Sequence, residues 1–346
     1  LVGSEMCIRD RTSINSGATL ALSGSGSIAT SSGLTNNGTF DISGTTSGAV
    51  IKTLAGSGAT NLGAQTLTLS NANSSYSGVI NGTGGLILTT GSETLSGANT
   101  YTGATTINGG TLALTGAGSI ATSSGLTNNG TFDISGTSGT NIKTLAGSGV
   151  TNLGAQTLTI ANANDTYTGS INGTGGNIIL NAGNQTFSGA NSYTGTTTIN
   201  GGTLFIANNT GLGSDSGGAV IVNSGATLDL VNVNIGNKSF TLNGGTLADA
   251  TSSIAGPISL TANSTISTLV GDTLTLNGAV SGIGYGITKI GAGNLALNAN
   301  NTYTGDTTIS QGTLALTGTG SIAASNSVIN NACLLYTSPS PRDRTR

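Results

Sequence analysis

The chain has 346 residues with 58 glycines and 3 prolines; 6% of its residues are charged, 3% are aromatic, and the formal net charge is −3. The glycines follow no collagen period, proline is too scarce for polyproline linkers, and the hydrophobic content of 35% argues against a solvated disordered chain. What remains is a polar β protein rich in Ser, Thr, Asn and Gly.

The two ends differ in composition from the interior. All five arginines, both cysteines and the only methionine lie within residues 1–11 or 332–346. The strings LVGSEMCIRDR and CLLYTSPSPRDRTR in these ends resemble translated sequencing-adapter sequence. We therefore predict non-native segments at 1–11 and 332–346 and a single repetitive domain over 12–331.

The interior excludes several kinds of site. Its net charge is about −5 and its four lysines are dispersed, whereas a nucleic-acid groove needs clustered cations. It has neither histidine nor cysteine, so disulfides and the usual zinc sites are excluded. Asp215, in GLGSDSGG, is a single carboxylate and cannot supply the oxygens that calcium requires. We expect no cofactor, no metal and no nucleic-acid partner.

Long internal repeats occupy the interior. The string SIATSSGLTNNGTFDISGT begins at Ser27 and again, unchanged, at Ser119, 92 residues later. SGANTYTGATTINGGTLAL at Ser96 is answered by SGANSYTGTTTINGGTLFI at Ser188. We predict repeat units of about 17–108 and 109–200, an irregular stretch over 201–297, and a partial copy over 298–331.

Within each unit, leucine and isoleucine alternate with small polar residues, as in TLALSG, TLTLSN and TLDLVN. This period of two predicts short strands, and Gly, Asn and Ser between them predict turns. No stretch has a helical period. The fold class is therefore all-β.

Two all-β architectures fit short repeated strands. An antiparallel sandwich needs strands whose core residues differ, whereas these strands resemble one another. In a parallel β-solenoid each coil stacks about 4.8 Å from the previous one, so like residues form core columns. We predict a single elongated solenoid with coils of roughly 20 to 25 residues, about fourteen coils in the interior.

One motif occurs three times, at Gly97, Gly189 and Asn298, and has degenerate halves at Tyr76 and Tyr167. It resembles the autotransporter-associated β-strand repeat, or passenger-associated transport repeat, of type V secreted proteins. The matched positions are Asn99, Tyr101, Gly103, Thr106, Ile107, Gly110, Leu112 and Leu114; Asn191, Tyr193, Gly195, Thr198, Ile199, Gly202, Leu204 and Ile206; and Asn301, Tyr303, Gly305, Thr308, Ile309, Gly312, Leu314 and Leu316.

The resemblance implies a right-handed parallel β-helix, displayed or secreted outside a Gram-negative cell through a C-terminal outer-membrane translocator barrel. That barrel is expected outside this fragment. Independently of the family, the tyrosine is expected to pack a coil corner with its hydroxyl bonded to water or backbone; the functional alternative is an aromatic platform for sugars.

We therefore predict a structural or adhesive surface scaffold that is not an enzyme, with host or environmental glycans as candidate partners. A polysaccharide-degrading β-helix would need convergent carboxylates, whereas Asp229, Asp249 and Asp272 lack basic neighbours in sequence. A threonine-row surface such as an ice-binding face is a further alternative, based on T-x-T pairs such as Thr66 and Thr68. Unpaired strand edges at the ends of the fragment predict end-to-end self-association.

Overall fold

The computed structural model describes residues 11–336, which form 42 β-strands and no helix. The chain divides into two compact units, the first ending at Leu158 and the second beginning at Thr159. Most of the two segments predicted to be non-native, residues 1–10 and 337–346, lies outside the described residues. The domain and repeat boundaries given above remain predictions.

The first unit contains nineteen complete strands and the start of a twentieth, which holds the unit boundary. They are β1 (Thr12–Ile14), β2 (Thr19–Gly24), β3 (Leu34–Asn36), β4 (Thr39–Thr45), β5 (Ala49–Ile51), β6 (Leu54–Ala55), β7 (Ala59–Asn61), β8 (Leu67–Leu69), β9 (Ala72–Tyr76), β10 (Val79–Asn81), β11 (Leu86–Leu88), β12 (Gly91–Leu95), β13 (Thr105–Ile107), β14 (Thr111–Gly116), β15 (Leu126–Asn128), β16 (Thr131–Thr137), β17 (Thr140–Ile142), β18 (Leu145–Ala146), β19 (Val150–Asn152) and β20 (Thr157–Ile160).

The second unit continues with strands of two to six residues. They are β21 (Ala163–Tyr167), β22 (Ser170–Asn172), β23 (Asn177–Leu180), β24 (Gly183–Phe187), β25 (Thr197–Ile199), β26 (Gly202–Ile206), β27 (Val220–Asn223), β28 (Ala226–Val231), β29 (Asn234–Ile235), β30 (Phe240–Asn243), β31 (Thr246–Ala250), β32 (Ser252–Ile254), β33 (Ile258–Ala262), β34 (Ser264–Thr268), β35 (Thr273–Leu276), β36 (Val280–Ser281), β37 (Ile287–Ile290), β38 (Asn294–Leu297), β39 (Thr307–Ile309), β40 (Thr313–Leu316), β41 (Val328–Asn330) and β42 (Cys333–Tyr336).

Parallel pairing arranges the first unit on three faces. Face 1 contains β1-β3-β6, which a bridge between Gly56 and Tyr76 connects to β9-β12-β14-β16-β19. Face 2 contains β2-β4-β7-β10, and face 3 contains β5-β8-β11-β13-β15-β18. Each strand pairs with one on a neighbouring turn, not with its neighbour in sequence. The predicted all-β parallel solenoid is confirmed.

The turns vary in length. Paired residues are 18 apart where Ala49 faces Leu67 and 24 apart where Gly202 faces Ala226. Many turns are shorter than the predicted 20 to 25 residues, because a corner needs only two or three residues between strands. Residues 11–336 make about 16 turns, where the sequence predicts fourteen over the interior.

Core columns form from residues one turn apart. On face 3, Ile51, Leu69, Leu88 and Ile107 face one another in register on successive strands, and each is at most 1% exposed. Burying such a side chain contributes about 1.5–3 kcal/mol, so a column of four is a large share of local stability.

The long sequence repeats do not stack on one another, contrary to the expectation that duplicated residues share a column. The unchanged strand sequence LTN forms β3 on face 1 and β15 on face 3, and TFDISGT forms β4 on face 2 and β16 on face 1. Ninety-two residues therefore carry the chain through a non-integral number of turns. Copies of one sequence occupy different faces of the first unit.

The second unit has the same construction. Its three parallel sheets run β23-β25-β27-β30-β33-β36, β21-β24-β26-β28-β31-β34-β37-β39-β41 and β29-β32-β35-β38-β40-β42. Its longest column passes through Leu228, Leu247 and Ile266 to Lys289 and Ile309, all at most 1% exposed. Within residues 11–336 no helix could cross a bilayer.

Candidate functional site

The asparagine of the repeat motif is a buried clamp between three turns. In the first copy, Ile80 N donates to Asn99 Oδ1 (3.0 Å), while Asn99 Nδ2 donates to Gly97 O (3.1 Å) and Ser119 O (3.0 Å). Residues 98–104 contain no strand, so the backbone ladder of face 2 is interrupted after β10. The amide supplies the donor and the acceptor that the missing strand would have supplied.

The other two copies repeat this geometry. Ile171 N donates to Asn191 Oδ1 (2.8 Å), and Asn191 Nδ2 donates to Gly211 O (2.7 Å). Val280 N donates to Asn301 Oδ1 (2.8 Å), and Asn301 Nδ2 reaches two carbonyls at 2.9 and 3.0 Å. The clamp is therefore a property of the motif.

The motif tyrosines are buried in the core. Tyr101, Tyr193 and Tyr303 are at most 1% exposed, and each hydroxyl lies 2.6 Å from a threonine Oγ1 four residues later. Burial raises the pKa of Tyr303 to about 12, opposed by its hydrogen bond with Thr307. The rings are inaccessible, so the motif tyrosines do not form a platform for sugars; the hydroxyl partner is a side chain instead of the predicted water or backbone.

The remaining motif positions have backbone or core roles. Gly110, Gly202 and Gly312 have φ of 74°, 73° and 72°, in the left-handed region that favours glycine, immediately before or at the start of a strand. A Cβ on Gly103 would lie 2.4 Å from the Gly84 carbonyl carbon. The isoleucine and leucine positions are buried: Ile107, Leu112, Leu114, Ile199, Leu204, Ile206, Ile309, Leu314 and Leu316. The motif threonines are only partly buried: Thr106, Thr198 and Thr308.

Sequence reasoning missed the buried titratable groups. Glu93 in β12 is fully buried, and burial raises the pKa of its carboxyl to about 8. Hydrogen bonds with Ser74 and the Leu54 backbone act in the opposite direction and lower this pKa. Ser74 Oγ lies 2.8 Å from both Glu93 Oε2 and Leu54 O. A hydroxyl has one proton, so a protonated Glu93 that donates to Ser74 satisfies both contacts. The sequence does carry a signal for this burial: Glu93 is two residues before the inward Leu95, and residues two apart in a strand lie on the same side.

Two lysines are also buried, both in the second unit. Lys289 Nζ donates to Ile290 O and Gly291 O, each at 2.7 Å, and burial lowers its pKa to about 8. Lys238 Nζ donates to Ser214 O (2.9 Å), and burial also lowers the pKa of Lys238. The carbonyl partners balance the desolvation of each ammonium, which indicates structural roles.

Three aspartates that the sequence separates are neighbours in the second unit. Burial raises the pKa of Asp249 to about 6 and also raises the pKa of Asp229, with the charge of Asp272 adding to both. Asp229 occupies a partly exposed position of β28, whereas Asp249 is 3% exposed and inward in β31. The two carboxyls thus take opposite sides of their sheet. Among residues 11–336, no group of three acidic or thiol side chains could hold a metal ion.

The T-x-T threonines Thr68 and Thr275 have no threonine beside them in register, whereas threonines outside the T-x-T pairs form a row in the second unit: Thr203, Thr227, Thr246, Thr265, Thr288 and Thr308. Thr68 in β8 lies between Val50 and Ile87 on the neighbouring turns. Thr275 in β35 lies between Ser253 and Ala296. A flat threonine array of the ice-binding kind therefore has no counterpart at these positions.

A polar groove, about 390 Å³ in volume, lies on the outside of the second unit. Its floor holds Thr288 and Thr308, which are in register on β37 and β39. Its sides hold the side chains of Asn263, Thr304, Asp306 and Asn326, with glycines between them. We call this surface the polar groove. The sequence did not predict this groove, because its members come from four successive turns.

Comparisons with known proteins agree with this geometry. Three segments, 60–114, 180–205 and 287–316, match the family described as Passenger-associated-transport-repeat. They include every predicted motif position except Ile206. The chain is 34% identical over 199 residues, 54% of its length, to the protein named Adhesin BmaC autotransporter of Brucella suis biovar 1 (strain 1330). The matched region is 5% of that relative's length, and no solved structure matches the chain.

The matched segments contain the three clamp asparagines and the three buried motif tyrosines described above. The family resemblance stated from the motif residues is confirmed, as is the location that it implies. The chain carries passenger-associated transport repeats of the autotransporter type, and these repeats indicate a passenger displayed or secreted outside the cell.

Proposed function

We propose that the chain is a stiff scaffold whose outward faces make repeated weak adhesive contacts. The observation that carries the proposal is the asparagine clamp, which ties each motif corner to the turns before and after it. Such ties restrain the turns where a strand is missing, so the outward polar side chains are held in fixed positions. Many weak contacts from fixed positions raise avidity without any single strong site.

We also propose that the chain is not an enzyme. The support is positional: Asp229 and Asp249 occupy opposite sides of their sheet, whereas glycosidases need two carboxyls facing one cleft. Hydrolysis of any member of a polysaccharide panel, abolished by Asp229→Asn, would contradict this proposal.

The partners we propose are an outer-membrane translocator, which the family implies, and surface glycans. The matched relative is named an adhesin, and this name is the support that the comparisons give for an adhesive function. Beads coated with the full chain should be retained on epithelial or mucin-coated surfaces more than beads coated with albumin. Equal retention of the two would contradict adhesion.

We further propose that isolated chains associate through strand edges. Val328 and Ile329 in β41 are 43% and 45% exposed, and β41 is the last strand of its sheet among the described residues. Exposed apolar side chains on a strand edge favour pairing with another chain. Sedimentation should show concentration-dependent association that Ile329→Lys weakens; a monomer at every concentration would contradict it.

A further inference from the structure

The polar groove has hydrogen-bonding groups that its own neighbours hold in place. Asn326 Nδ2 (2.8 Å) and Ser327 Oγ (2.7 Å) both donate to Asp306 Oδ1. No described donor contacts Asp306 Oδ2, so that oxygen is left to accept from a ligand. The two bonds fix the carboxylate before any ligand arrives, so less conformational entropy is lost when a ligand binds.

Two further side chains present donors to the same space. Asn263 Oδ1 accepts from Gly286 N (2.9 Å), which leaves Asn263 Nδ2 to donate to a ligand. Thr304 Oγ1 accepts from Gly284 N (2.7 Å), which leaves its hydroxyl proton to donate. The groove therefore offers a fixed acceptor, Asp306 Oδ2, with one donor on the same turn, Thr304, and one donor two turns away, Asn263.

We propose that the polar groove is a binding subsite for an uncharged saccharide. A saccharide carries several hydroxyls that each donate and accept, so it matches an acceptor and donors that are spread over the turns of one groove. A cation fits less well, because the groove has one carboxylate and its amide nitrogens cannot bind a metal. The inference rests on the adhesive function proposed above and names the ligand class and the place.

The first unit contains a matched groove that lacks these groups. It lies beside the first copy of the motif and is lined by Ala64, Ile87 and Ala104 with threonines and glycines. Ala104 and Asp306 are the same position of the motif sequence, Y-T-G-x-T-T. The backbone setting is shared while the carboxylate and the amide side chains are absent, so we expect the first groove to bind no saccharide.

Charge sets the selectivity of the site. Hydrogen bonds from Asn326 and Ser327 hold the pKa of Asp306 below its usual value, so the carboxylate is ionised at neutral pH. An ionised carboxylate repels sialylated and sulfated sugars, and no lysine or arginine lines the groove. Binding should favour neutral oligosaccharides.

The test begins with the full chain on an array of neutral, sialylated and sulfated oligosaccharides, followed by calorimetry on the best neutral binder. Asp306→Ala should weaken that binding at least about tenfold, because it removes a hydrogen bond to a charged acceptor. Asn263→Ala should weaken it by a smaller factor. The matched control is Asp133→Ala, which removes a carboxylate that accepts from Ser135 N in the first unit; binding should stay unchanged.

Asp306→Asn separates charge from hydrogen bonding. It keeps an oxygen acceptor, so neutral binding should persist, and it should admit sialylated sugars that the parent chain rejects. Saccharide binding that Asp306→Ala leaves unchanged would overturn the groove while leaving adhesion standing. Bead adhesion without any saccharide binding would also overturn it, whereas loss of both would overturn the adhesive function itself.

Discussion

The strands β12 and β24 are the same repeat position in the two units, and they differ at both inward residues: Leu95 is replaced by Phe187, and a buried acid by an amide. Glu93 stands in β12 and Gln185 in β24, each fully buried with the same burial pattern along the strand. Gln185 Nε2 donates to Asp165 O (3.0 Å) and Thr186 O (3.2 Å). The position tolerates a neutral hydrogen-bonding side chain, and Glu93 meets that requirement by keeping its proton.

The motifs that follow β12 and β24 share the tyrosine, and its removal should have the largest effect. Tyr101→Ala and Tyr193→Ala should each destabilise the chain by about 3–5 kcal/mol, because each leaves a cavity and removes the hydrogen bond between the tyrosine and threonine hydroxyls. The effect should be greater at Tyr193, whose ring centroid lies 5.8 Å from Lys238 Nζ. Urea unfolding with hydrogen exchange on peptides from each motif measures both.

A larger effect at Tyr101 would contradict the contribution of Lys238. The control is Tyr285→Ala, since Tyr285 is 39% exposed and belongs to no motif copy.

The pH dependence should differ between the two strands. The folded-state pKa of Glu93, about 8, is above its ordinary value of 4.5, so the folded state binds the proton more tightly than the unfolded chain. The contribution of Glu93 to stability should be fully present below pH 4.5 and fall by roughly 1.4 kcal/mol per pH unit toward pH 8. Glu93→Gln should flatten this dependence, measured as unfolding midpoints from pH 5 to 8.

The reciprocal change sharpens the comparison. Gln185→Glu should introduce a second loss of stability in the same pH range, because it places an acid where β24 has an amide. A parent chain whose stability rises from pH 5 to 8 would contradict a neutral Glu93.

Loss of the clamp should have a smaller effect on stability than loss of the tyrosine, and the effect should be similar in the two motifs. Asn99→Ala leaves Ile80 N and Ser119 O without the amide, and Asn191→Ala leaves Ile171 N and Gly211 O in the same state. Each should destabilise by about 1–3 kcal/mol. Hydrogen exchange at Ile80 and Ile171 should accelerate, and unchanged protection at both would contradict the clamp.

The outward threonines should matter least. Thr106→Ala and Thr198→Ala occupy partly exposed positions of β13 and β25 and should change stability by less than about 0.5 kcal/mol. Thermal unfolding measures both, and a loss above about 1 kcal/mol would show that the outward face contributes to the fold.

The strands and the motif core could be predicted from the sequence, because period-two alternation assigns Leu112 and Leu114 to one side without ambiguity. The same rule is ambiguous in ITKI, where the structure places Lys289 inside and leaves Ile290 37% exposed. Backbone carbonyls at the end of the strand accept hydrogen bonds from the lysine, and the sequence does not show that these carbonyls lie within its reach. The two-residue spacing of Glu93 and Leu95 predicts that Glu93 faces inward, but the polarity of a glutamate argues against that placement.

Register across turns could not be predicted. It depends on corner lengths, which make the turns 18 residues in one place and 24 in another. The polar groove depends on this register, because Asn263, Asp306 and Asn326 become neighbours only when each intervening turn has its observed length.

The mismatch between the 92-residue repeat and the turn has a genetic consequence in the first unit. Recombination between the identical segments would delete residues 27–118 and join Gly26 to Ser119, with the next 19 residues unchanged in sequence. The rejoined segment would then occupy the faces that residues 27–45 occupy in the present chain. The strand LTN at residues 126–128 would therefore move from face 3 to face 1. Loss of one copy would thus shorten the protein and also move the outward side chains that follow to other faces.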